Sequence, residues 1–455
     1  MASLAVLLPR WGFSKQEALS SPNVTYYLPG TEMYSTYKRG FNKRFNRNPS
    51  VIAVIHQEAG VAEAIRYANE IKLPVSVKSG GHCMEGFSCN DGSLLIYLGE
   101  LNQITWHNAE TVTIGPACLL AAVYGELLPK NRIIPGGSCA TVGIGGLVLG
   151  GGYGLLARKF GLTCDSLLRV SMIDGKGNRI SSDTDPQLLW GCKGGNNGNF
   201  GVVTSLTFKT HPAPATMQSF RFRAYNVSAD RAAKIMETWF EAAGHLSNDC
   251  FSAFVLNAKT LYILITNVGK HDTGIMQAIQ RLKAITDKYT QSKATPLPQA
   301  LSNYFGQTTP IYFKNASAGL YEDFNSIRGC VREALELVTK TPGMIYQVNT
   351  LGGKIQDPAL AGTSAFPHRQ YSFFSELQTY WEQPSREAFL LSRFEQVQQV
   401  FSKHGIKAQY RNYPDTNFKN WETAYYGTNY TRLQQLKNKY DPNNTFRFAQ
   451  SIRNS

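Results

Sequence analysis

The stretch Val75-Ser-Val-Lys-Ser-Gly-Gly-His82 runs from branched residues into two glycines and ends on a histidine. Branched residues in alternation predict a strand, and paired glycines let the backbone approach a ligand closely. Further along, Gly137-Ser-Cys139-Ala-Thr-Val-Gly-Ile-Gly-Gly146 places a cysteine beside a second glycine tract. An imidazole and a thiolate are the groups best suited to bond to an electrophilic ring. The pattern therefore predicts an oxidoreductase whose backbone wraps a flat cofactor and whose side chains bond to it.

Runs of consecutive glycine are dense in the first half of the chain. They stand at residues 80–81, 136–137, 145–146, 150–152 and 194–195. A single pair is most simply a turn, but together the runs expose N–H groups that suit phosphate oxygens. The expected ligand is therefore of dinucleotide size.

A Rossmann site is the first alternative. Gly152-Tyr-Gly154-Leu-Leu-Ala157 fits the fingerprint, and Asp174 follows at the distance of a ribose-binding acid. The residues before Gly152 are glycine-rich rather than a buried strand, so the context is poor. This alternative would make the protein a nicotinamide dehydrogenase.

Length and composition set the broad class. A chain of 455 residues with 43% hydrophobic and 17% charged residues predicts two folded domains that share an active site. No apolar run is long enough to span a membrane. The net charge of +14 comes from scattered Lys and Arg, which favours a basic surface that aids solubility or draws an acidic substrate over a nucleic-acid-binding role.

Two features leave the compartment open. The first ten residues are apolar but make a poor signal peptide, because no basic region precedes the apolar stretch and no small-residue cleavage site follows. The eight cysteines form no CxxC pair, so no metal site is predicted. Cys83 and Cys89 could form a disulfide in an extracellular protein, although buried thiols are the commoner case.

The pattern of elements predicts an α+β fold in three parts. Residues 1–210 mix short strands, a helix at 60–72 and glycine turns, and two prolines near 212 mark a boundary. Residues 211–407 carry amphipathic helices near 229–243, 273–289, 321–340 and 385–404 between strands, typical of helices on one face of an antiparallel sheet. Residues 408–455 are rich in aromatic residues and are expected to pack back against the cofactor.

These motifs, taken in order, resemble the berberine bridge enzyme-like oxidases of the vanillyl-alcohol oxidase superfamily, which have a PCMH-type FAD-binding domain. The stretches that carry the resemblance are Lys78–His82, Pro135–Gly146, Gly150–Gly154, Arg158–Asp165, Asn199–Thr204, Phe366–Arg369, Tyr410–Asp415, Trp421–Tyr430 and Tyr440–Phe446. They span nearly the whole chain.

The resemblance implies FAD attached twice, through His82 to the 8α-methyl group and through Cys139 to ring carbon 6. It also implies a wide site, a small-molecule substrate, molecular oxygen as partner, and a monomer or weak dimer. The other cofactor-contacting residues that it implies are Ser79, Gly80, Gly81, Val142, Gly143, Gly145, Gly146, Gly150, Gly151, Tyr153, Gly154, Asn199, Gly201, Val203 and Asn412.

Three departures from the family pattern concern the pyrophosphate contacts. Lys78 stands where Arg is common, Ala140 where Pro is common, and residues 190–199 replace a more glycine-rich run. None of them removes an attachment residue.

Oxidation of an alcohol carbon needs a base for the hydroxyl proton. The resemblance makes Tyr413 the first choice and Tyr153 a second phenol, and Tyr410–Tyr413 is expected to form one strand. A phenol acts as a base only if neighbouring donors or cations favour its phenolate. Glu376 is a further candidate, because alternation places it with Phe374 and Gln378 on one face of a strand. An ordinary solvent-facing glutamate is the competing interpretation.

The expected reaction is hydride transfer from a CH–OH carbon of a carbohydrate, or of a glycosylated or aromatic metabolite, to flavin N5. Val142 matches the family position that controls oxygen access, and a small branched residue there predicts oxygen as acceptor and hydrogen peroxide as product. The alternatives are an oxidase, cyclase or dehydrogenase of the same fold acting on an alkaloid or polyketide, and a flavoprotein without turnover.

Overall fold

The computed structural model describes residues 20–455, so the proposed absence of a signal peptide falls outside the described residues. Its strands, in chain order, are β1 Val24–Tyr27, β2 Val51–Ile55, β3 Val75–Lys78, β4 Leu94–Tyr97, β5 Ile104–Trp106, β6 Thr111–Ile114, β7 Arg132–Ile133, β8 Leu167–Asp174, β9 Arg179–Ser181, β10 Gly201–Lys209, β11 His211–Pro212, β12 Thr216–Ala224, β13 Cys250–Asn257, β14 Thr260–Asn267, β15 Lys288–Gln291, β16 Thr295–Pro296, β17 Tyr312–Tyr321, β18 Met344–Thr350 and β19 Phe373–Trp381. Its α-helices are α1 Glu32–Tyr37, α2 Glu58–Glu70, α3 Leu120–Leu127, α4 Ile144–Leu149, α5 Ala157–Phe160, α6 Pro186–Cys192, α7 Ala229–Gly244, α8 Thr273–Ile285, α9 Leu297–Ser302, α10 Val331–Thr339, α11 Glu387–Lys403, α12 Trp421–Tyr426 and α13 Tyr430–Tyr440.

Two small sheets form the first part of the chain. One has the strand order β1-β2-β4-β3, with β2 and β3 parallel to β4. The other is antiparallel, with the order β5-β6-β10-β8-β9. Helix α2 buries its apolar stripe of Val61, Ala64, Ile65 and Ala68 against the first sheet. The helix predicted at 60–72 is confirmed, with bounds two residues earlier.

A large antiparallel sheet follows, with the order β15-β12-β14-β13-β18-β19-β17. Helices α7, α8, α10 and α11 cover one of its faces and bury a core that includes Phe222, Trp239 and Phe254. The other face turns toward the small sheets. The predicted architecture of helices on one face of an antiparallel sheet is confirmed.

Three element predictions need correction. The helix expected at 273–289 ends at Ile285, because residues 288–291 form strand β15 on the edge of the sheet. The helix expected at 321–340 starts only at Val331, since Tyr321 still belongs to β17. Tyr410–Tyr413 is not a strand: Tyr413 N–H donates to the Tyr410 carbonyl at 3.0 Å, which closes a turn before Pro414.

The last residues return to the first sheet. Val75 N–H donates to the Thr445 carbonyl at 2.8 Å, and Phe446 is fully buried in the core under β3. The tail therefore packs beside the strand that leads to His82.

A buried ionic cluster joins three distant segments. The Lys314 ammonium on β17 lies 2.7 Å from Glu85 Oε1 and 2.7 Å from Asp415 Oδ1. Arg44 donates to the same Glu85 oxygen at 2.7 Å. Glu85 closely follows His82 and Asp415 closely follows Tyr413, so this cluster ties the segments that carry His82 and Tyr413 to the large sheet.

Within the described residues, no helix is long and apolar enough to cross a membrane. Residues 20–455 also contain no cluster of three or more potential metal ligands, and the eight cysteines are free thiols.

Candidate active site

A cavity of about 470 Å³ lies between the small sheets and the uncovered face of the large sheet. The glycine tracts around His82, Cys139 and Tyr153 line one side of it. Residues of four strands of the large sheet line the other, namely Phe251, Ala253, Val255, Leu264, Gln347, Asn349 and Glu376. The turn at Asn412 and Tyr413 closes one end. The structure thus gathers distant motifs at one site.

His82 is fixed on two sides. Its ring stacks on Phe41 with centroids 4.0 Å apart. Its Nε2 is 2.8 Å from Thr141 Oγ1, which belongs to the cysteine tract. Burial lowers the pKa of His82 to about 4, so the imidazole is neutral near pH 7 and keeps a nucleophilic nitrogen.

Cys139 is exposed and presents its side chain to the cavity. The loop 304–306 lies against it: Ala140 N–H donates to the Phe305 carbonyl at 3.1 Å, and a Cβ added at Gly306 would lie 3.7 Å from the Cys139 sulfur. Desolvation by the surrounding protein, and then the charge of Glu376, raise the pKa of this thiol. The free cysteine is therefore protonated at rest.

The backbone around His82 offers unused hydrogen-bond donors. Within residues 20–455, the N–H groups of Gly80, Gly81 and His82 find no acceptor. A Cβ added at Gly146, which lines the same cavity, would meet no atom within 4 Å. Buried Asn197 Oδ1 also lacks a partner in this part of the chain. These features fit a dinucleotide cofactor. The unpaired N–H groups can donate to phosphate oxygens, Gly146 leaves space for the ligand, and Asn197 Oδ1 can accept a hydrogen bond from it.

Lys78, one of the three departures from the family pattern, lies behind the cavity wall, whereas Asn197 and Gly198 of the 190–199 segment line the cavity. The Lys78 ammonium donates to the carbonyls of Tyr37 and Arg39, the latter at 2.9 Å. Burial lowers its pKa to about 8. Lys78 thus holds the 37–41 loop, and with it Phe41, against His82.

Most of the predicted cofactor residues line the cavity. They are Ser79, Gly80, Gly81, His82, Cys139, Val142, Gly143, Gly145, Gly146, Tyr153, Gly154, Gly201, Val203 and Asn412.

Three of the predicted residues, Gly150, Gly151 and Asn199, lie outside the lining of this cavity. A side chain at Gly150 would clash with Asn412, and Gly151 adopts φ +114° where it packs near Phe366. Asn199 is fully buried and accepts from Ile452 N–H at 2.9 Å. These three residues build the wall and hold the tail.

Glu376 is buried on β19 and faces the cavity, so it is not a solvent-facing glutamate. Its carboxylate accepts from Asn315 Nδ2 at 3.0 Å and from Asn349 Nδ2 at 3.3 Å. Burial raises its pKa, and the hydrogen bonds oppose that rise. A fixed carboxylate with a raised pKa is the usual form of a general base.

Tyr413 and Tyr153 flank Phe374, with ring centroids 5.5 and 5.1 Å from it. Burial first, and then the charge of Glu376, raise the pKa of both phenols well above the ordinary value. Arg411 is the neighbouring cation that could favour a phenolate at Tyr413, but its Nε donates to the Tyr426 hydroxyl at 3.0 Å instead. Both phenols therefore keep their protons near pH 7, and Glu376 is the group of the three that loses its proton most readily and is available as a base.

Sequence reasoning missed the amides that hold Glu376. Asn315 and Asn349 come from β17 and β18, which flank β19, and Gln347 pairs directly with Glu376. No local motif marks them, since only the register of separate strands brings them together. The alternation in β18 was the one available signal.

The Rossmann alternative fails on structure. Helix α4, rather than a strand, precedes Gly152. The Asp174 carboxylate accepts from the N–H groups of Lys176 and Asn178 at 2.9 and 2.8 Å, so it closes the β8–β9 turn. It is not available to a ribose.

Two family profiles match the chain. One is described as FAD binding domain and covers residues 49–183. The other is described as berberine and berberine like and covers residues 409–453. They include the His82 and Cys139 tracts and the Tyr413 turn respectively.

Known proteins are similar over almost the full length. The uncharacterised FAD-linked oxidoreductase YgaK of Bacillus subtilis is 30% identical over 433 residues, which are 92% of this chain and 94% of that protein. Chitooligosaccharide oxidase of Gibberella zeae is 27% identical over 97% of this chain and 95% of its own. The solved structure of Physcomitrella patens BBE-like 1 superposes with a TM-score of 0.87 at 23% identity, over 97% of this chain and 100% of that one.

Proposed function

Since the chain belongs to the berberine bridge enzyme-like FAD-linked oxidoreductases, we propose that it is an oxidase of CH–OH carbons, acting on a carbohydrate or on a glycosylated or aromatic metabolite. The observation that carries this proposal is the buried Glu376 carboxylate facing the cavity that His82 and Cys139 also line. A carbohydrate is favoured because a similar protein is named chitooligosaccharide oxidase, and because amides and phenols around Glu376 suit a polyhydroxylated substrate.

In this proposal residues 1–210 and the returning tail 408–455 bind FAD, and residues 211–407 bind the substrate. The hydrogen bond from Val75 N–H to the Thr445 carbonyl supports the assignment of the tail to the FAD-binding part of the chain. His82 and Cys139 each hold the cofactor covalently. Nδ1 is the imidazole atom that we assign to the bond, because Nε2 is engaged by Thr141. When bound, FAD supplies the hydride acceptor at N5 and passes the electrons to oxygen, which leaves as hydrogen peroxide.

The chain's own residues handle the proton. Glu376 takes it from the substrate hydroxyl, while Asn315 and Asn349 keep the carboxylate in place. Tyr413, held protonated by burial, donates a hydrogen bond to a substrate oxygen. The Tyr153 hydroxyl donates to the Thr350 carbonyl at 3.1 Å, so its oxygen accepts a hydrogen bond from a substrate hydroxyl. Phe374 lies between the two rings and fixes their separation.

The test is a substrate panel on the yellow protein as purified. The protein is mixed, first without and then with oxygen, with neutral mono- and oligosaccharides, benzylic alcohols, an alkaloid and a glycosylated polyketide. We expect at least one sugar to bleach the flavin without oxygen and to yield one peroxide per product with oxygen. A yellow protein that no substrate class bleaches would contradict the proposal and favour a flavoprotein without turnover. A colourless protein would overturn the flavin assignment itself.

Val142 provides a separate prediction about the acceptor. It lines the cavity and its N–H donates to the Cys139 carbonyl at 3.3 Å, so its side chain stands beside one tether. Val142→Leu adds one methylene there and is expected to slow reoxidation by oxygen about tenfold, equivalent to about 1.4 kcal/mol. Stopped-flow measurement of both half-reactions checks this. Reduction by substrate and turnover with an artificial dye should stay at the wild-type rate, and an unchanged oxygen rate would contradict a gating role.

A further inference from the structure

The cavity-facing side of the large sheet continues beyond the cavity. One row of cross-strand partners runs from Asn349 through Ala253 and Leu264 to Arg221. The next row runs from Glu376 through Gln347, Val255 and Tyr262 to Arg223. Directly paired residues project on the same face of a sheet. Arg221 and Arg223 therefore lie on the face that carries Glu376.

A second, polar groove of about 400 Å³ lies on this extension. Its lining consists of Met217, Ser219, Arg221, Thr290, Gln291, Ser292, Thr295, Ala300 and Asn303. Ser219 Oγ lies 2.7 Å from the hydroxyl of Tyr304, and Tyr304 itself lines the main cavity. The groove and the cavity thus share a wall at Tyr304.

The groove is basic. Its lining contains no Asp or Glu, and within residues 20–455 Arg221 forms no ion pair. Arg223 lies over the Tyr262 ring at 5.4 Å, also without a carboxylate partner in the described chain. The nearby Asp287 is neutralised by Arg231 at 2.5 Å. An exposed guanidinium with no internal partner at the end of a binding face can receive a carboxylate from a ligand.

We infer that the substrate is an extended acidic carbohydrate, a short oligosaccharide whose reacting ring lies beside Glu376 and whose distal carboxylate binds Arg221. This inference rests on the proposed function and specifies its substrate class. Strands are roughly 4.8 Å apart, so four steps from β19 to β12 span roughly 19 Å. That span exceeds one sugar ring and suits a trisaccharide. The negative charge of Glu376 disfavours a carboxylate on the reacting ring, whereas Arg221 favours one at the far end.

The experiment uses a matched pair of substrates. One is a neutral trisaccharide with a free reducing end, and the other is the same trisaccharide with its non-reducing-end ring oxidised to a uronic acid. Peroxide formation gives KM and kcat, and calorimetry gives the binding constant independently of turnover. The variants are Arg221→Gln and, as a control with the same change of charge, Arg393→Gln on α11, which packs on the opposite face of the sheet.

We expect the acidic trisaccharide to have a KM about threefold to fivefold lower than the neutral one, the effect of an exposed ion pair of up to about 1 kcal/mol. Arg221→Gln should abolish that difference without changing kcat, and Arg393→Gln should preserve it. Added salt should also reduce it. Equal KM values for both sugars in the wild type, or a preference that survives Arg221→Gln, would overturn the inference while the oxidase assignment stands. Arg221-dependent binding without oxidation would overturn the oxidase assignment and support the groove.

Discussion

Glu376→Gln is expected to lower kcat by about 10²–10⁴-fold, the usual contribution of a positioned base. Glutamine keeps the shape of the side chain. Its oxygen can accept from Asn349 Nδ2, and its amide nitrogen can donate to Asn315 once that amide turns its unpartnered Oδ1 toward it. It cannot accept the hydroxyl proton. The rate of flavin bleaching without oxygen reports this step directly. A loss smaller than about tenfold would contradict the assignment of Glu376 as the base.

The pH dependence gives the same assignment a second test. The base must be deprotonated, and burial raises the pKa of Glu376. The wild-type rate should therefore fall, as pH decreases, at a higher pH than an ordinary glutamate with a pKa of about 4.3 would give. The small residual rate of Glu376→Gln should lack that step. Persistence of the step in the variant would assign it to another group.

Stability separates loss of chemistry from loss of fold. A carboxyl whose pKa is raised in the folded state binds more protons folded than unfolded, so its contribution to stability is lost as pH rises from the unfolded pKa through the folded one. Glu376→Gln should therefore be at least as stable as wild type at neutral pH, and its relative advantage should shrink in acid. Thermal unfolding midpoints across this range check the direction. A variant that unfolds early would make the activity loss uninformative.

Lys314→Met is expected to destabilise the protein by about 3–5 kcal/mol, the usual cost of removing one partner from a buried ion pair. The substitution leaves the Glu85 and Asp415 carboxylates buried together, each of which lies 2.7 Å from the ammonium in the wild type. Arg44 still pairs with Glu85, but Asp415 loses its ionic partner. Denaturant unfolding measures the effect.

Two controls make this prediction specific. Arg47→Met breaks the exposed Arg47–Asp91 pair, and about 0–1 kcal/mol is expected from it. Lys314→Met combined with Asp415→Asn should recover part of the lost stability, because the orphaned charge is removed with its partner. If Lys314→Met costs no more than Arg47→Met, the cluster does not join the three segments as described.

Much of the fold follows from local pattern. Strand β3 and helices α2, α7 and α11 all form where periodicity predicts them. The three helices bury an apolar face, whereas β3 is buried on both faces. The misplaced elements are those that tertiary contacts decide. Residues 288–291 form a strand because the edge of β12 is free to pair with them. Residues 410–413 form a turn because Pro414 follows and because Ser317 bonds to both ends of the turn: its Oγ accepts from Tyr410 N–H, and its N–H donates to the Tyr413 carbonyl.

The site divides in the same way. His82, Cys139 and Tyr153 stand beside glycine runs, so sequence motifs find them. The sequence could not show whether Glu376 or Tyr413 is the better candidate for the base, because the answer depends on how burial and neighbouring groups shift their pKa values. Arg221, which we propose binds the distal carboxylate, lies in no sequence motif. Only the pairing of five neighbouring strands places it on the same sheet face as Glu376.

The covalent state of the flavin tests the central claim most directly. Acid-precipitated wild type should keep its yellow colour and have an intact mass greater than that of the polypeptide by one FAD. His82→Ala and Cys139→Ala should each retain flavin through the remaining bond, and the double variant should release it. His82→Ala combined with Cys83→Ala, which removes a neighbouring thiol of the same cavity, should still retain it. Release of flavin from the denatured wild type would contradict the account.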